Sequence, residues 1–445
     1  MIVILHGWSD SSASLRRMAA AIATLALPGG VRAIRLGDYV SMDDDVDFED
    51  LARAMDRAWR DAGLPLRPRS VDLVVHSTGA LVARSWLTSR HTPASNPVRR
   101  LLMLAPANFG SPLAHKGRSF LGRVVKGFGS RRRFHTGARL LEGLELASPL
   151  TWDLAVLDRF TAGDPWYGPG RMLATVLVGT AGYTGIAAAA NQPGSDGTVL
   201  LAGANLQPVY VDMDFAGDPG APRIASLEAN GMVAFRRVGG DNHSTIAWKD
   251  RGPANAGTID LVHAALSVTD DGFAAHLDAM AAGNALERRR EADSVPRQGY
   301  QNTVIRVTDD AGHLVGDYFI EAFARNSASG RPDNALTRRI QEEVLVHAHS
   351  HSANPAFRAL RFNCDALQAM LIDRRAPLYL RITAQPDIRD TGSVGYRTLE
   401  YNDIGSVRID PSELGRLFKP DRTALVNLRI RREHAPDLVR FGAPP

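Results

Sequence analysis

An α/β fold, doubly wound around a mostly parallel sheet and followed by a mainly-β second domain, is predicted from three observations. Up to about residue 270 short apolar runs alternate with longer amphipathic segments, the rhythm of helices packed on both faces of a sheet. Beyond residue 298 short stretches of alternating polarity take over, separated by Asp-Asp-Ala-Gly and Asn-Asp-Ile-Gly turns, which suggests an antiparallel, sandwich-like domain. Between these regions Glu287-Arg288-Arg289-Arg290-Glu291 and Pro296 read as a helix end and linker. The expected organisation is therefore a first domain over 1–285, a linker over 286–298 and a β-rich domain over 299–445. A chain of 445 residues is also too long for one ordinary core.

In the first domain the strands are expected at Ile2 to Leu5, Val31 to Leu36, Val71 to Val75, Leu101 to Leu104, Leu173 to Val178 and Val233 to Arg237, each a short apolar run. Helices are expected between them, for example Ser12 to Leu25 and Phe48 to Ala62. After Leu104 the rhythm breaks into a long segment from about 107 to 160. In the second domain the strands are expected at Thr303 to Val307, Tyr318 to Phe323, Val344 to Val346, Leu378 to Thr383, Arg397 to Tyr401 and Ala424 to Ile430. A helix at Cys364 to Ile372 interrupts them.

Chemistry first shows at Ser77, in Val75-His76-Ser77-Thr78-Gly79, between an apolar strand and a helix-like stretch from Ala80 to Thr88. A strand turning sharply into a helix holds one hydroxyl proud of the sheet, with the unpaired N–H groups of the helix start behind it. Gly79 meets the need for a small residue two places after the serine. Val75 stands two places before it, where the G-x-S-x-G pattern has glycine. An ordinary strand-to-helix turn with a solvent-facing serine is the competing reading. At the N-terminus, Met1 to Leu5 leads at once into His6-Gly7-Trp8.

Together these segments resemble the α/β-hydrolase superfamily, and within it the serine lipases and esterases; the resemblance covers roughly the first 270 residues. It implies an oxyanion hole made by the backbone N–H groups of Trp8 and Thr78. It also implies an acid and a histidine following the serine in that order. The acid is expected at Asp196, in Gly194-Ser195-Asp196-Gly197-Thr198-Val199, a D-G-[TV]-V context similar to that of many such lipases. The histidine is expected at His243, in Gly239-Gly240-Asp241-Asn242-His243-Ser244, directly after the last predicted strand. Asp241 is a rival for the acid, but a carboxylate two residues from the histidine would strain to reach the ring nitrogen facing away from the serine. In this scheme His243 takes the proton of Ser77, Asp196 holds the imidazole, and an acyl-enzyme forms and is hydrolysed, with no metal and no cofactor.

The segment over 107–160 resembles a lid insertion, entered through Phe109-Gly110-Ser111-Pro112. Lys116, Arg118, Arg123, Lys126, Arg131, Arg132, Arg133 and Arg139 fall in a stretch without Asp or Glu, interleaved with Phe120, Leu121, Val124, Val125 and Phe128. Such a segment suits contact with an anionic lipid surface, for which Lys126, Arg131, Arg132 and Arg133 are the candidates. The alternative is a solvated helix whose cations pair elsewhere. Nucleic acid is disfavoured, since the net charge is only +4 and no binding motif accompanies the patch.

Composition, at 44% hydrophobic and 22% charged, fits a globular protein with no apolar run of membrane-spanning length. The first apolar run is too short for a signal peptide, so a cytoplasmic location is expected, with peripheral membrane contact as a variant. One cysteine, Cys364, rules out an internal disulfide. His347, His349 and His351 alternate as strand residues do, but lack a carboxylate or cysteine at ligand spacing, so a polar strand face is favoured over a metal site. The expected function is a serine hydrolase cleaving carboxylic esters, those of lipids in particular. The alternatives are an inactive lipid-surface binding protein on the same fold and an acyltransferase using an alcohol in place of water.

Overall fold

The computed structural model describes residues 1–5, 12–41, 43–114, 137–217, 223–249, 252–292, 299–326, 329–384, 394–396 and 408–434. The chain forms two units and crosses between them more than once. The first comprises Met1–Pro208, Glu228–Gln298 and Asp421–Thr423; the second comprises Val209–Leu227, Gly299–Pro420 and Ala424–Pro445.

In the first unit β1 (Ile2–Leu5), β2 (Val31–Ile34), β3 (Val71–His76), β4 (Val98–Leu104) and β5 (Leu173–Gly179) come before β6 (Val209–Asp214) and β7 (Arg223–Glu228), which are built into the other unit's sheet. The first sheet is completed by β8 (Val233–Val238), in the order β2-β1-β3-β4-β5-β8, with every neighbouring pair parallel. β1, β3 and β5 are buried along their whole length, which is why they read as continuous apolar runs and not as alternation. β4 begins earlier than its apolar run suggests. Arg100 lies opposite Asp72 of β3, and both Arg99 and Arg100 pair with that carboxylate, at 3.1 and 3.2 Å, so two cations are carried inside a strand.

Helices α1 (Ser12–Ala23), α2 (Phe48–Asp61) and α3 (Gly79–Arg90) follow β1, β2 and β3. Asp47 starts α2 with a capping box: its carboxylate accepts the Glu49 and Asp50 N–H groups, and Asp50 accepts the Asp47 N–H in return. α3 is buried from Gly79 to Leu87 and packs on α2, the Trp59 and Trp86 rings lying 4.7 Å apart. Of the lid-like segment, the described part contains α4 (Ala138–Leu144) and α5 (Pro149–Arg159). Lys126, Arg131, Arg132 and Arg133 lie outside the described residues. α5 is tied to α3 by a fully buried fork, Arg84 Nε and Nη2 donating to Asp158 at 2.7 and 2.9 Å, and the Tyr167 hydroxyl adds a bond of 2.7 Å to the same carboxylate. Burial alone would depress the Arg84 guanidinium; the charge and hydrogen bonds of Asp158, together with Tyr167, outweigh it and hold the group above its ordinary value.

The second unit holds a six-stranded sheet in the order β11-β12-β9-β16-β6-β7, using β9 (Tyr300–Asp309), β11 (Leu345–Ser350), β12 (Phe357–Asn363) and β16 (Thr423–Ile430). Its β11–β12–β9 half is antiparallel, but β16 pairs with β6 in parallel, Ala424 opposite Val209. The sheet is thus mixed where an antiparallel one was expected. A smaller antiparallel sheet comprises β10 (Tyr318–Phe323), β13 (Leu378–Ala384) and β15 (Arg408–Ile409). β14 (Val394–Tyr396) pairs with β17 (Arg432–His434). Val209, Val211, Ile305, Leu378, Ile382 and Leu428 are among the residues of this unit's core. The helix expected at Cys364 to Ile372 forms. The strand expected at Arg397 to Tyr401 lies outside the described residues.

Candidate active site

Ser77, Asp196 and His243 each follow the carboxyl end of a parallel strand, β3, β5 and β8, the rim where open α/β sheets place ligands. β3 ends at His76, and Ser77 follows with φ of 56°, the left-handed region that a side chain other than glycine occupies only under strain. The turn is held by its main chain: Ser77 N–H donates to Leu104 O at 3.1 Å, and Ser77 O accepts from Ala80 and Ala107. Val75 is accommodated inside the strand, opposite Leu5 and Met103, so the absence of glycine there does not prevent the elbow. Ser77 and Thr78 are the half-buried residues at the end of an otherwise buried strand.

His243 follows β8. Its loop is shaped by Asn242, whose side-chain oxygen accepts the Ser244 and Thr245 N–H groups at 2.9 and 3.0 Å. Gly179, ending β5, is what lets this loop come close: a side chain there would meet Asp241 O at 2.2 Å. Asp196 sits in the loop after β5, its Oδ1 accepting the Thr198 and Val199 N–H groups at 2.9 and 2.8 Å. These bonds leave Oδ2 for one further donor. His243 Nδ1 lies 2.9 Å from it, and His243 Nε2 lies 3.0 Å from Ser77 Oγ. With the proton on Nδ1, Nε2 is the acceptor for the serine hydroxyl. The His243 N–H also donates to Asp196 O at 3.0 Å, so the two loops are joined by backbone as well as side chain. Asp196 and His243 are fully buried, whereas Ser77 reaches the surface.

Ser77, His243 and Asp196, far apart in the sequence, are therefore brought into one hydrogen-bonded chain. Asp241 is not part of it. Its carboxylate faces the loop that follows, accepting Ala254 N–H at 2.6 Å, Thr245 Oγ1 at 3.0 Å and Thr258 Oγ1 at 2.5 Å. Thr78 stands at the start of α3, where N–H groups lack helical acceptors, and no acceptor among the described residues takes its N–H. Trp8, with the rest of His6-Gly7-Trp8, lies outside the described residues.

One contributor is missing from the sequence reading. His76, buried at the end of β3, brings its Nε2 within 3.0 Å of the His243 carbonyl oxygen, and the two imidazoles lie 4.8 Å apart. Because a carbonyl only accepts, Nε2 of His76 carries a proton. The available signal was a polar residue at the end of an apolar strand, next to the serine. Among the described residues no three His, Cys, Asp or Glu side chains gather to hold a metal ion; His351 Nδ1 instead accepts the Asn354 N–H at 3.1 Å.

No family model and no curated protein matches the sequence. Among solved structures, the phospholipase PlaB from Legionella pneumophila is similar along the whole chain, with a TM-score of 0.79 and 22% identity over 100% of this chain and 97% of its own. The same phospholipase in complex with thio-NAD gives 0.78 and 21%, with the same coverage. The mature lipase BlEst2 from Bacillus licheniformis is a remote likeness, with a TM-score of 0.31 and 19% identity over 46% of this chain and 78% of its own.

Proposed function

From the premise that this chain has the α/β-hydrolase fold, with a separate mixed β unit, we propose that it is a serine hydrolase cleaving carboxylic esters, and those of lipids in particular. The observation that carries this reading is the unbroken chain Ser77 Oγ, His243, Asp196, at 3.0 and 2.9 Å, ending on a serine held at positive φ. Strained backbone persists where the surroundings enforce it, and a serine so held beside an imidazole is suited to attack. His243 takes the Ser77 proton as Oγ adds to the ester carbonyl, and Asp196 stabilises the imidazolium. Charge on the carbonyl oxygen is met by the Thr78 N–H and, on the sequence resemblance, that of Trp8. His243 then returns the proton to the leaving alcohol. Water, deprotonated by the same nitrogen, releases the acid from Ser77.

The lipid preference is supported by the likeness to the phospholipase PlaB and by the basic, apolar stretch around Lys126 and Arg131 to Arg133. That stretch is proposed to meet an anionic membrane surface peripherally. Among the described residues no helix is long and apolar enough to cross a membrane. The serine strain and the complete chain weigh against an inactive lipid-binding protein. Acyl transfer to an alcohol uses the same groups and is separated from hydrolysis by product analysis.

A fluorophosphonate should label the protein at Ser77, and Ser77→Ala should lose labelling and turnover of p-nitrophenyl esters and phospholipid vesicles by a factor of at least about 10⁴. Turnover that survives in Ser77→Ala would defeat the reading. In Arg131→Glu, Arg132→Glu, Arg133→Glu, association with anionic vesicles should weaken while cleavage of soluble esters persists.

A further inference from the structure

Among the described residues, the second unit has a partly open space beside its core. A cavity of about 500 Å³ lies among β10, β11 and β12, walled by apolar residues that include Ile320, Val344, Leu360, Phe362 and Leu371. A smaller void of about 110 Å³ shares Ile305, Leu360 and Phe362 with it and extends to Val211 and Leu428. Protein interiors pack with few spaces larger than a water molecule, and an apolar cavity gives water nothing to bond. A space this large is instead in the range of small-molecule sites, roughly 300–1,000 Å³ with a few polar groups at fixed places.

Four polar side chains stand in the wall, Tyr318, Glu321, Gln341 and Arg358, and two of them carry donors without acceptors. Arg358 and Tyr318 both line the cavity, and the guanidinium lies 3.8 Å from the centre of the Tyr318 ring. Arg358 Nη1 and Nη2 are fixed by the Tyr318 and Gly316 carbonyls at 2.6 and 3.1 Å. Its Nε is buried and has no acceptor among the described residues, and the same holds for the hydroxyl of Tyr318, a residue only 4% exposed. Burial raises the Tyr318 hydroxyl far above the usual tyrosine value, so it stays a donor. Glu321, also in the wall, accepts from Arg381 at 3.3 Å. Two donors on stacked side chains, lacking acceptors among the described residues and one of them on a cation, beside a mostly apolar space ask for a molecule with an anionic oxygen pair and a hydrocarbon tail.

We propose that this cavity is a binding site for a long-chain carboxylic acid, its carboxylate accepting from Tyr318 Oη and Arg358 Nε and its chain filling the apolar space. The site stands whether or not Ser77 turns over esters. If it does, the ligand is of the same class as the acid that reaction releases.

The test uses the full chain in a Ser77→Ala background, so that no turnover intervenes. Laurate should bind with saturation in calorimetry, and lauryl alcohol about tenfold more weakly, the loss of one charge-assisted contact. Tyr318→Phe, which removes only the hydroxyl, should weaken laurate about tenfold and leave the alcohol unchanged. Ala322→Phe, placed where both voids meet, should abolish binding of both while the melting temperature holds or rises. A diazirine-bearing fatty acid should cross-link within β9, β12 or the helix at 364–372. Cross-links confined to residues 1–208, laurate affinity unmoved by both variants, or no saturable binding would each overturn the assignment. None of these outcomes bears on whether Ser77 labels with fluorophosphonate.

Discussion

The imidazole of His76 clasps the backbone of His243: its Nε2–H donates to the His243 carbonyl at 3.0 Å, with the two rings 4.8 Å apart. The residue before the serine thus fixes the loop carrying His243. His76→Ala should lower kcat for p-nitrophenyl esters about 10–100-fold with KM little changed, as small misplacements of reacting groups do. His76→Gln, which retains an N–H donor, should recover part of the loss. Steady-state kinetics on both variants check this, and an unchanged kcat in His76→Ala would exclude a positioning role.

Asp196 and Asp241 should separate cleanly by what they disturb. Asp196→Asn keeps the shape but offers His243 an amide, and should cut kcat by about 10⁴ with little change in melting temperature. Asp241→Asn removes a carboxylate shared by Ala254, Thr245 and Thr258, and should lower the melting temperature first. Thermal melts alongside kinetics decide the assignment.

The buried pair Arg84–Asp158 predicts a stability effect away from the reacting groups. Asp158→Ala leaves a guanidinium and the Tyr167 hydroxyl without their acceptor and should cost about 3–5 kcal/mol in urea unfolding. Replacing both partners, as in Arg84→Met with Asp158→Leu, should recover most of that loss.

His276 sets an expectation for acid. Buried against Thr175 Oγ1 at 2.9 Å, it is held below the usual histidine value by burial. The unfolded chain therefore takes up a proton here before the folded one. The contribution of this group is fully present above the unfolded value of about 6.5 and is lost as the pH falls from there through the lower folded value. His276→Gln should flatten the decline of unfolding free energy with acid, measured by denaturant titration between about pH 5 and 8.

Much of the first unit was legible because buried parallel strands write themselves as apolar runs, as β1, β3 and β5 do. Ser77, Asp196 and His243 were legible for a related reason: each follows a predicted strand inside a motif rich in glycine or small residues, and the chain brings all three together. His76 was not, because its role lies in one long-range bond to a carbonyl. β12 was overlooked because each of its faces carries an arginine, Arg358 on one and Arg361 on the other, although Phe357, Ala359 and Arg361 alternate as its more buried side. β6 does alternate, its Val209, Val211 and Met213 being the buried side, and only its partner β16, far along the chain, lies beyond the reach of a local pattern.

That pairing of β6 with β16 also bears on how such a protein is inherited. A gene ending near residue 298 would retain β6 while losing the Ala424–Arg429 ladder beside it, exposing a row of unmatched amides ready to aggregate. The sheet of the β-rich unit is threaded through the coding sequence of the first unit, so neither half can be gained or discarded as one contiguous cassette.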